Sequence, residues 1–445
     1  MKLKYLVFAL FMTVVFSACN KFLDIKPKGL ILPETVGDYE GLLNSFTLTE
    51  TFQVSLLHFT DDNKNSFDGL NQSPVANAYY WRPIITTNQK ADPEVWGPLY
   101  NSIYSTNVII NNVMDATEGM LEKKQQVKGE ALVIRANCYL DLLTVFAKAY
   151  NPATASTDPG LPLVTSTSVT DAAPVRSSVK VVLDGLLNDV LSASTTLPAT
   201  NVNRYRVTKY IAYGLLSRIY LYMADFNNAK KYAEMALVAP HSLLNYNSFP
   251  SDSDFPIYEL SPEVLWQRKS VDYTSPTNML YSEDLKTYFN NDDLRYTFLT
   301  FTNNSGLVRG SFPGYYNFGI TFHEMELTRA EVMARQGNFN DAMTIVNTLR
   351  KNRIKTTAYA DQAATSGEDA LAKVLAERRR ELAFCGLRWF DMKRLDQEGR
   401  MPTVTRKNLD TQAIEATLAP HSPQYTFEIP IRVQMFNPGM ELNHK

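Results

Sequence analysis

The run NAYYWRP, Asn77 to Pro83, sets three aromatic rings beside a guanidinium and an amide. Flat rings pack on the apolar C–H faces of sugars as readily as on one another. Arg and Asn side chains donate hydrogen bonds to hydroxyls. Asn77, Tyr79, Tyr80, Trp81 and Arg82 are therefore candidate binding residues for a polyhydroxylated ligand. In strand-like alternation Tyr79 and Trp81 share a face, so at least one ring of the three is expected in the core. The competing reading packs all three rings into the scaffold, because aromatic side chains dominate cores as well as interfaces.

Other motifs could carry chemistry, and none completes a catalytic constellation. The segment HEMEL begins with His323 but has Leu327 where a zinc-protease helix needs its second histidine, so His323 is expected on a helix surface. The chain has no Walker A loop, nucleophile elbow or EF-hand loop. The pairs Asp61–Asp62 and Asp292–Asp293 match a glycosidase in residue type only. No enzyme activity is expected. Scattered carboxylates could hold calcium, but no calcium-loop spacing argues for it, and no other cofactor is expected. The basic run ERRRELAFCGLRWFDMKR sets Glu377 and Glu381 beside Arg378 and Arg380, and Asp391 near Arg388 and Arg394. That pattern is a compensated ion-pair network on packed helices. A nucleic-acid surface needs uncompensated basic charge, and the formal net charge here is -2.

The elements that must position these residues begin after an N-terminal address. Lys2 and Lys4 precede an apolar block from Tyr5 to Phe16 and the small pair Ser17–Ala18, which reads as a signal peptide over residues 1–18. The block is shorter than the roughly 20 apolar residues of a membrane-spanning helix. A signal ending in small-small-Cys resembles a bacterial lipobox, which makes Cys19 the expected acylated residue and the membrane anchor. Residues 19–95 then form a tether and a loop-rich segment. Cys138 and Cys385 are the other cysteines; a disulfide between them stays open in an exported chain, and Cys138 falls on a helical core stripe with Ala131, Ile134, Leu142 and Val145.

Helical text dominates residues 96–445. Trp96, Leu99, Tyr100, Ile103, Ile110 and Val113 share a helix face, a second amphipathic helix follows, and Ser178 is placed to cap a third. ADFNNAKKYAEMAL (Ala224 to Leu237) and GNFNDAMTIVNTL (Gly337 to Leu349) rhyme, which resembles the turn of a tetratricopeptide repeat with Ala229, Ala342 and Ala236 at close-packing positions. Residues 241–320 lack sustained helical period and are rich in rings, so they are the expected ligand side; Tyr273, Tyr315 and Tyr316 are candidates there. Gly386 is placed to end a helix, and the tail QYTFEIPIRVQMFNPGMELN has two punctuating prolines and a short strand-like run. The fold class is all-α: a tetratricopeptide-like scaffold of helical pairs, about four units, with long irregular insertions.

Seven blocks in order carry a family resemblance: CNKFLDIKPKG; WGPLYNSIYSTNVIINNV; GEALVIRANCYLDLLTVFAKAY with GLPLV; RVTKYIAYGLLSRIYLYMADFNNAKKYAEMAL; LTRAEVMARQGNFNDAMTIVNTLRKNR; ERRRELAFCGLRWFDMKRL; and EIPIRVQMFNPGMELN. Together they resemble the SusD/RagB family of nutrient-binding outer-membrane lipoproteins. The resemblance implies capture of oligo- or polysaccharide at the cell surface and docking on a SusC-like TonB-dependent outer-membrane transporter, with no nucleic-acid partner. It leaves open peptides or another nutrient as the ligand, or an assembly role alone. Stacking rings in such proteins lie in the stretch matching residues 77–83 and in the long insertion.

Overall fold

A computed structural model describes residues 33–444, except 66, 68, 169–173, 271–278 and 310–315. Residues 35–445 form one compact unit and residues 1–34 another. Cys19, Tyr273 and Tyr315 lie outside the described residues.

Among the described residues, nine helices of ten residues or more build the larger unit: α1 (Trp96–Asn112), α2 (Leu121–Phe146), α3 (Val179–Ser194), α4 (Lys209–Tyr222), α5 (Phe226–Ala236), α6 (Phe322–Arg335), α7 (Phe339–Lys351), α8 (Gly367–Glu381) and α9 (Arg388–Gln397). Each of the first six packs on the next, and α6 packs on both α7 and α8. The fold is all-α, a scaffold of helical pairs as the periodicity indicated. Trp96, Leu99, Ile103 and Ile110 are buried on α1 as expected, and Val113 is buried just after it. Helix α2 is buried on nearly every side rather than along one stripe, because α1 and α3 cover it from both flanks. Cys138 is fully buried on α2, and both Cys138 and Cys385 are free thiols. Ser178 caps α3 by accepting from the Val181 amide at 3.3 Å. Among the described residues no helix is long and apolar enough to cross a membrane.

The two rhyming segments fold alike to the level of single hydrogen bonds. At the α4–α5 turn the Asp225 amide donates to the Tyr220 carbonyl at 2.9 Å; at the α6–α7 turn the Asn338 amide donates to the Met333 carbonyl at 2.9 Å. Both turns need a left-handed residue, supplied by Ala224 (φ 56°) in one and Gly337 (φ 83°) in the other. A side chain there costs about 1 kcal/mol or more, which glycine avoids. Ala229, Ala236 and Ala342 are fully buried, so the small side chains let the paired helices close on each other.

Three sequence expectations change. Helix α8 ends at Glu381, before Gly386, because Phe384 (φ 60°) already turns the chain left-handed. Gly386 (φ 85°) serves a close approach instead: a Cβ there would meet the Phe52 ring at 2.5 Å. No strand forms in 424–433; its buried rings anchor the tail, and a short helix follows at Ile431–Phe436. His323 is 9 % exposed rather than on a surface, because α8 brings Glu381 to 3.7 Å from its Nδ1.

The insertion is irregular, as its sequence indicated, but it is pinned by a small antiparallel sheet. Strand β1 (Asn63–Lys64) pairs with β2 (Leu280–Tyr281), β2 with β4 (Gly306–Arg309), and β4 with β3 (Thr300–Asn303). A separate hairpin, β5 (Val404–Lys407) with β6 (Ile414–Leu418), rises from the C-terminal part. The pair Val264–Trp266 and Ile320–Thr321 seats the insertion on α4 and α6. Gly319 makes that seat possible, since any Cβ there would lie 2.0 Å from the Trp266 carbonyl.

Candidate functional site

A polar cleft of about 470 Å³ opens where three segments meet: β1, the start of the short helix after β2, and the β5–β6 hairpin. It is lined by Asp61, Asn63, Lys64, Tyr79, Ser282 to Asp284 and residues of the stretch 402–412.

Its floor is a buried ion-pair network. Arg388 contacts Asp61 at 2.6 and 2.7 Å, and Arg379 contacts Asp62 at 2.9 Å and Asp284 at 2.6 Å. Burial alone would raise the Asp61 carboxyl, but Arg388 and Arg379 hold it well below the usual carboxylate range. Burial, with Asp61 beside it, pushes Asp62 up despite Arg379. Ser282 latches the second segment on the first, its amide donating to the Asp62 carbonyl at 2.8 Å and its hydroxyl to the Asp61 carbonyl at 2.6 Å. The aspartate pair that could have been a glycosidase dyad is a structural brace. Asp293 likewise pairs with Arg295 at 2.7 Å.

The wall holds the aromatic cluster, and its rings do something other than face outward. Residues Pro74–Tyr79 form a helical turn capped by Ser73, and Trp81 leaves it in the left-handed region at φ 53°. The stretch is therefore not a strand, and face alternation does not apply. Tyr79, Tyr80 and Trp81 are 2 %, 4 % and 0 % exposed. Tyr79 and Trp81 clamp the Arg406 guanidinium, which lies 4.0 Å from one ring centre and 4.3 Å from the other. Arg406 also donates to the Tyr79, Asn63, His58 and Thr60 carbonyls at 2.8–3.1 Å. Cation–π attraction in such a desolvated place is worth about 2 kcal/mol. The Trp81 indole donates to the Phe59 carbonyl at 2.7 Å. The Tyr80 hydroxyl donates to Glu415 of β6 at 2.5 Å. Arg82 is half-buried and donates to the Asn77 side chain at 2.8 Å and to the Asn71 carbonyl; Asn77, fully buried, donates to the Ile85 carbonyl at 2.9 Å. Tyr316 is 7 % exposed, stacked on Phe318.

Of the expected ligand residues in this stretch, Tyr79 lines the cleft with 2 % exposure, and Asn77, Tyr80, Trp81 and Arg82 do not line it. Asn77, Tyr79, Tyr80, Trp81 and Arg82 brace its wall, and a ring without exposed surface has no face for a sugar. Tyr316 packs elsewhere, toward Arg309. Side chains that do reach the cleft from its rim are Lys64, Glu283, Asp284, Thr403, Thr405, Lys407 and Gln412. Lys64 meets Glu283 at 2.5 Å. Sequence reading missed these residues because scattered polar side chains on turns carry no motif. Only the hairpin's alternation around Arg406 could have flagged them. The rim offers ammonium, amide, hydroxyl and carboxylate groups in open reach, a set that suits hydrogen bonds to a polar ligand. Among the described residues no group of three or more metal-ligating side chains occurs.

Two comparisons of sequence bear on this architecture. The family described as "Starch-binding associating with outer membrane" matches residues 21–221, and the "SusD family" matches residues 314–438. The chain is 24 % identical over 308 residues to the SusD-like protein P25 of Formosa agariphila, covering 64 % of this chain and 54 % of that one. It thus spans about half the length of that relative. Among solved structures, a SusD superfamily protein of Bacteroides thetaiotaomicron is similar with a TM-score of 0.76 and 18 % identity, over 92 % of this chain and all of that one. Surface glycan-binding protein A of Bacteroides uniformis is similar with a TM-score of 0.71 and 15 % identity, over 92 % and 99 %.

Proposed function

We propose, from the premise that the chain belongs to the SusD/RagB family, that it captures oligo- or polysaccharide at the cell surface and passes it to a TonB-dependent outer-membrane transporter. The observation that carries this reading is the rim of the cleft. Hydrogen-bonding side chains from three segments converge in open reach over a floor whose own charges are already paired. Such a site binds by many weak polar contacts and leaves the ligand's covalent bonds alone. The carboxylates of the floor are locked in arginine ion pairs and unavailable as general acid and base. Names among the relatives point the same way, one to starch and one to surface glycan.

In this reading Lys64, Thr405, Lys407 and Gln412 make the hydrogen bonds. Stacking surface comes from Tyr273 and Tyr315, which the sequence places six residues or more before β2 and after β4. The Cys19 acyl anchor holds the protein to the outer membrane. The alternative ligand is a peptide or other nutrient, for which the Lys64–Glu283 and Asp284 charges would supply contacts.

Native gels containing plant, host and microbial polysaccharides test the reading. Retardation by at least one glycan is expected, and the Lys407→Ala/Gln412→Ala double variant should lose it. Migration unchanged by every glycan, with folding verified by circular dichroism, would move the assignment to peptides.

A further inference from the structure

Arg309 ends β4 and is 5 % exposed, yet no carboxylate stands within ion-pair distance of it among the described residues. The charges next to it are already balanced. Arg295, Arg350, Arg353 and Arg380 face Asp293, Glu263, Glu377 and Glu381 at 2.6–4.0 Å. Arg309 is left over. The Tyr258 and Tyr281 hydroxyls hydrogen-bond it, and the Tyr316 hydroxyl and Cys385 thiol lie near. Burial pushes Tyr258 up to about 12 and Cys385 up to about 11, and raises Tyr281 and Tyr316 as well. None of them supplies negative charge at neutral pH. A buried guanidinium whose Nε makes no hydrogen bond is costly, so an acceptor is expected beside it.

The protein has room for one. A cavity of about 50 Å³ is bounded by Arg309, Asn317, Thr321, His323, Tyr258 and Ser261 among others, several times the roughly 10–15 Å³ that one water needs. Three nitrogens on its lining residues make no hydrogen bond to the protein: Nε of Arg309, Nδ2 of Asn317 and Nδ1 of His323. Their side chains are 5 %, 5 % and 9 % exposed. The Asn317 amide is oriented, because its Oδ1 accepts from the Arg268 and Gly319 amides, each at 3.0 Å, which leaves Nδ2 as the spare donor. Helix α6 begins at Phe322, directly after Thr321, and its N-terminal end adds partial positive charge. Glu263 and Glu381 also border the cavity, but Arg353 occupies both at 2.6 and 2.8 Å.

We propose that this cavity binds one small monovalent anion, of which chloride is the simplest, between Arg309, Asn317 and His323. The anion ties β4 of the insertion to the start of α6 in the scaffold. This inference is independent of the glycan reading.

The full chain tests it in two ways. Crystals grown in sodium bromide should show an anomalous peak in the cavity. The Tm should rise with the logarithm of chloride or bromide concentration when gluconate keeps ionic strength constant. Asn317→Asp retains the oxygen that accepts from Arg268 and Gly319 and adds a fixed carboxylate beside Arg309. That variant should fold and lose both the bromide peak and the halide dependence of Tm. Arg309→Met should lose them too. A cavity that shows density without anomalous signal holds water only, and that result overturns the proposal. So does a Tm equal in chloride and gluconate, or an Asn317→Asp variant as halide-dependent as the parent.

Discussion

Arg353 and Arg406 are both buried, at 0 % and 3 % exposure, yet they are satisfied by opposite means. Arg353 meets two carboxylates, Glu263 at 2.6 Å and Glu381 at 2.8 Å, within a network that spreads over α8 and α9. There Arg378 pairs with Asp391 at 2.8 Å and Arg394 with Glu331 at 2.6 Å. Among the described residues Arg406 meets no carboxylate. Four backbone carbonyls and two aromatic faces hold it. The scaffold therefore neutralises charge with charge, while the cleft wall spends its rings on a cation. An aromatic cluster with the composition of a ligand platform can be the socket of the protein's own arginine.

The contrast can be broken at either end. The largest effect is expected from Glu381→Leu, which strands Arg295 and Arg353 without their shared partner; a loss of about 3–5 kcal/mol should appear in chemical denaturation. On the aromatic side, Trp81→Ala should cost about 3–4 kcal/mol through lost core packing. Arg406→Met should cost about 2–3 kcal/mol by leaving buried carbonyls unpaired. Their double variant should cost less than the sum by roughly 1–2 kcal/mol, the coupling of ring and cation.

Acid should separate the two solutions. Burial alone would raise Glu331, but Arg394 and Arg335 lower it from its ordinary value to about 2. A depressed folded-state value means the stabilisation is complete above the unfolded carboxyl's value, near 4.3, and is lost as pH falls from there toward 2. Denaturation midpoints should drop steeply over that window, and Glu331→Gln should make the slope shallower while lowering stability at pH 7. The smallest effect is a gain: Ala224→Gly at the left-handed turn position should stabilise by roughly 0.5–1 kcal/mol, matching its counterpart Gly337.

Much of the scaffold was legible because its determinants are local. Ala229 and Ala342 mark close-packed hairpins, Ser178 caps its helix, and Glu377 lies three residues from Arg380, which it meets at 2.6 Å. The cleft was legible in composition and not in use. Tyr79 and Trp81 were recognisable as a special cluster, but the cation between them comes from 327 positions further along the chain. No periodicity announces such a partner. His323 was misplaced for the same reason, since Glu381 reaches it from another helix. Lys407 and Gln412, at the tip of a hairpin built around Arg406, have no motif of their own.

The proposed division of labour gives the buried rings the wall and the rim side chains the ligand's hydrogen bonds. Titration calorimetry of a retained glycan against the parent, Arg406→Met and Lys407→Ala/Gln412→Ala, with Tm recorded for each, tests it most directly. The rim variant should keep its Tm and lose affinity at least tenfold, whereas Arg406→Met should lose Tm and, where folded, bind within about threefold of the parent. A rim variant that binds as tightly as the parent would contradict it.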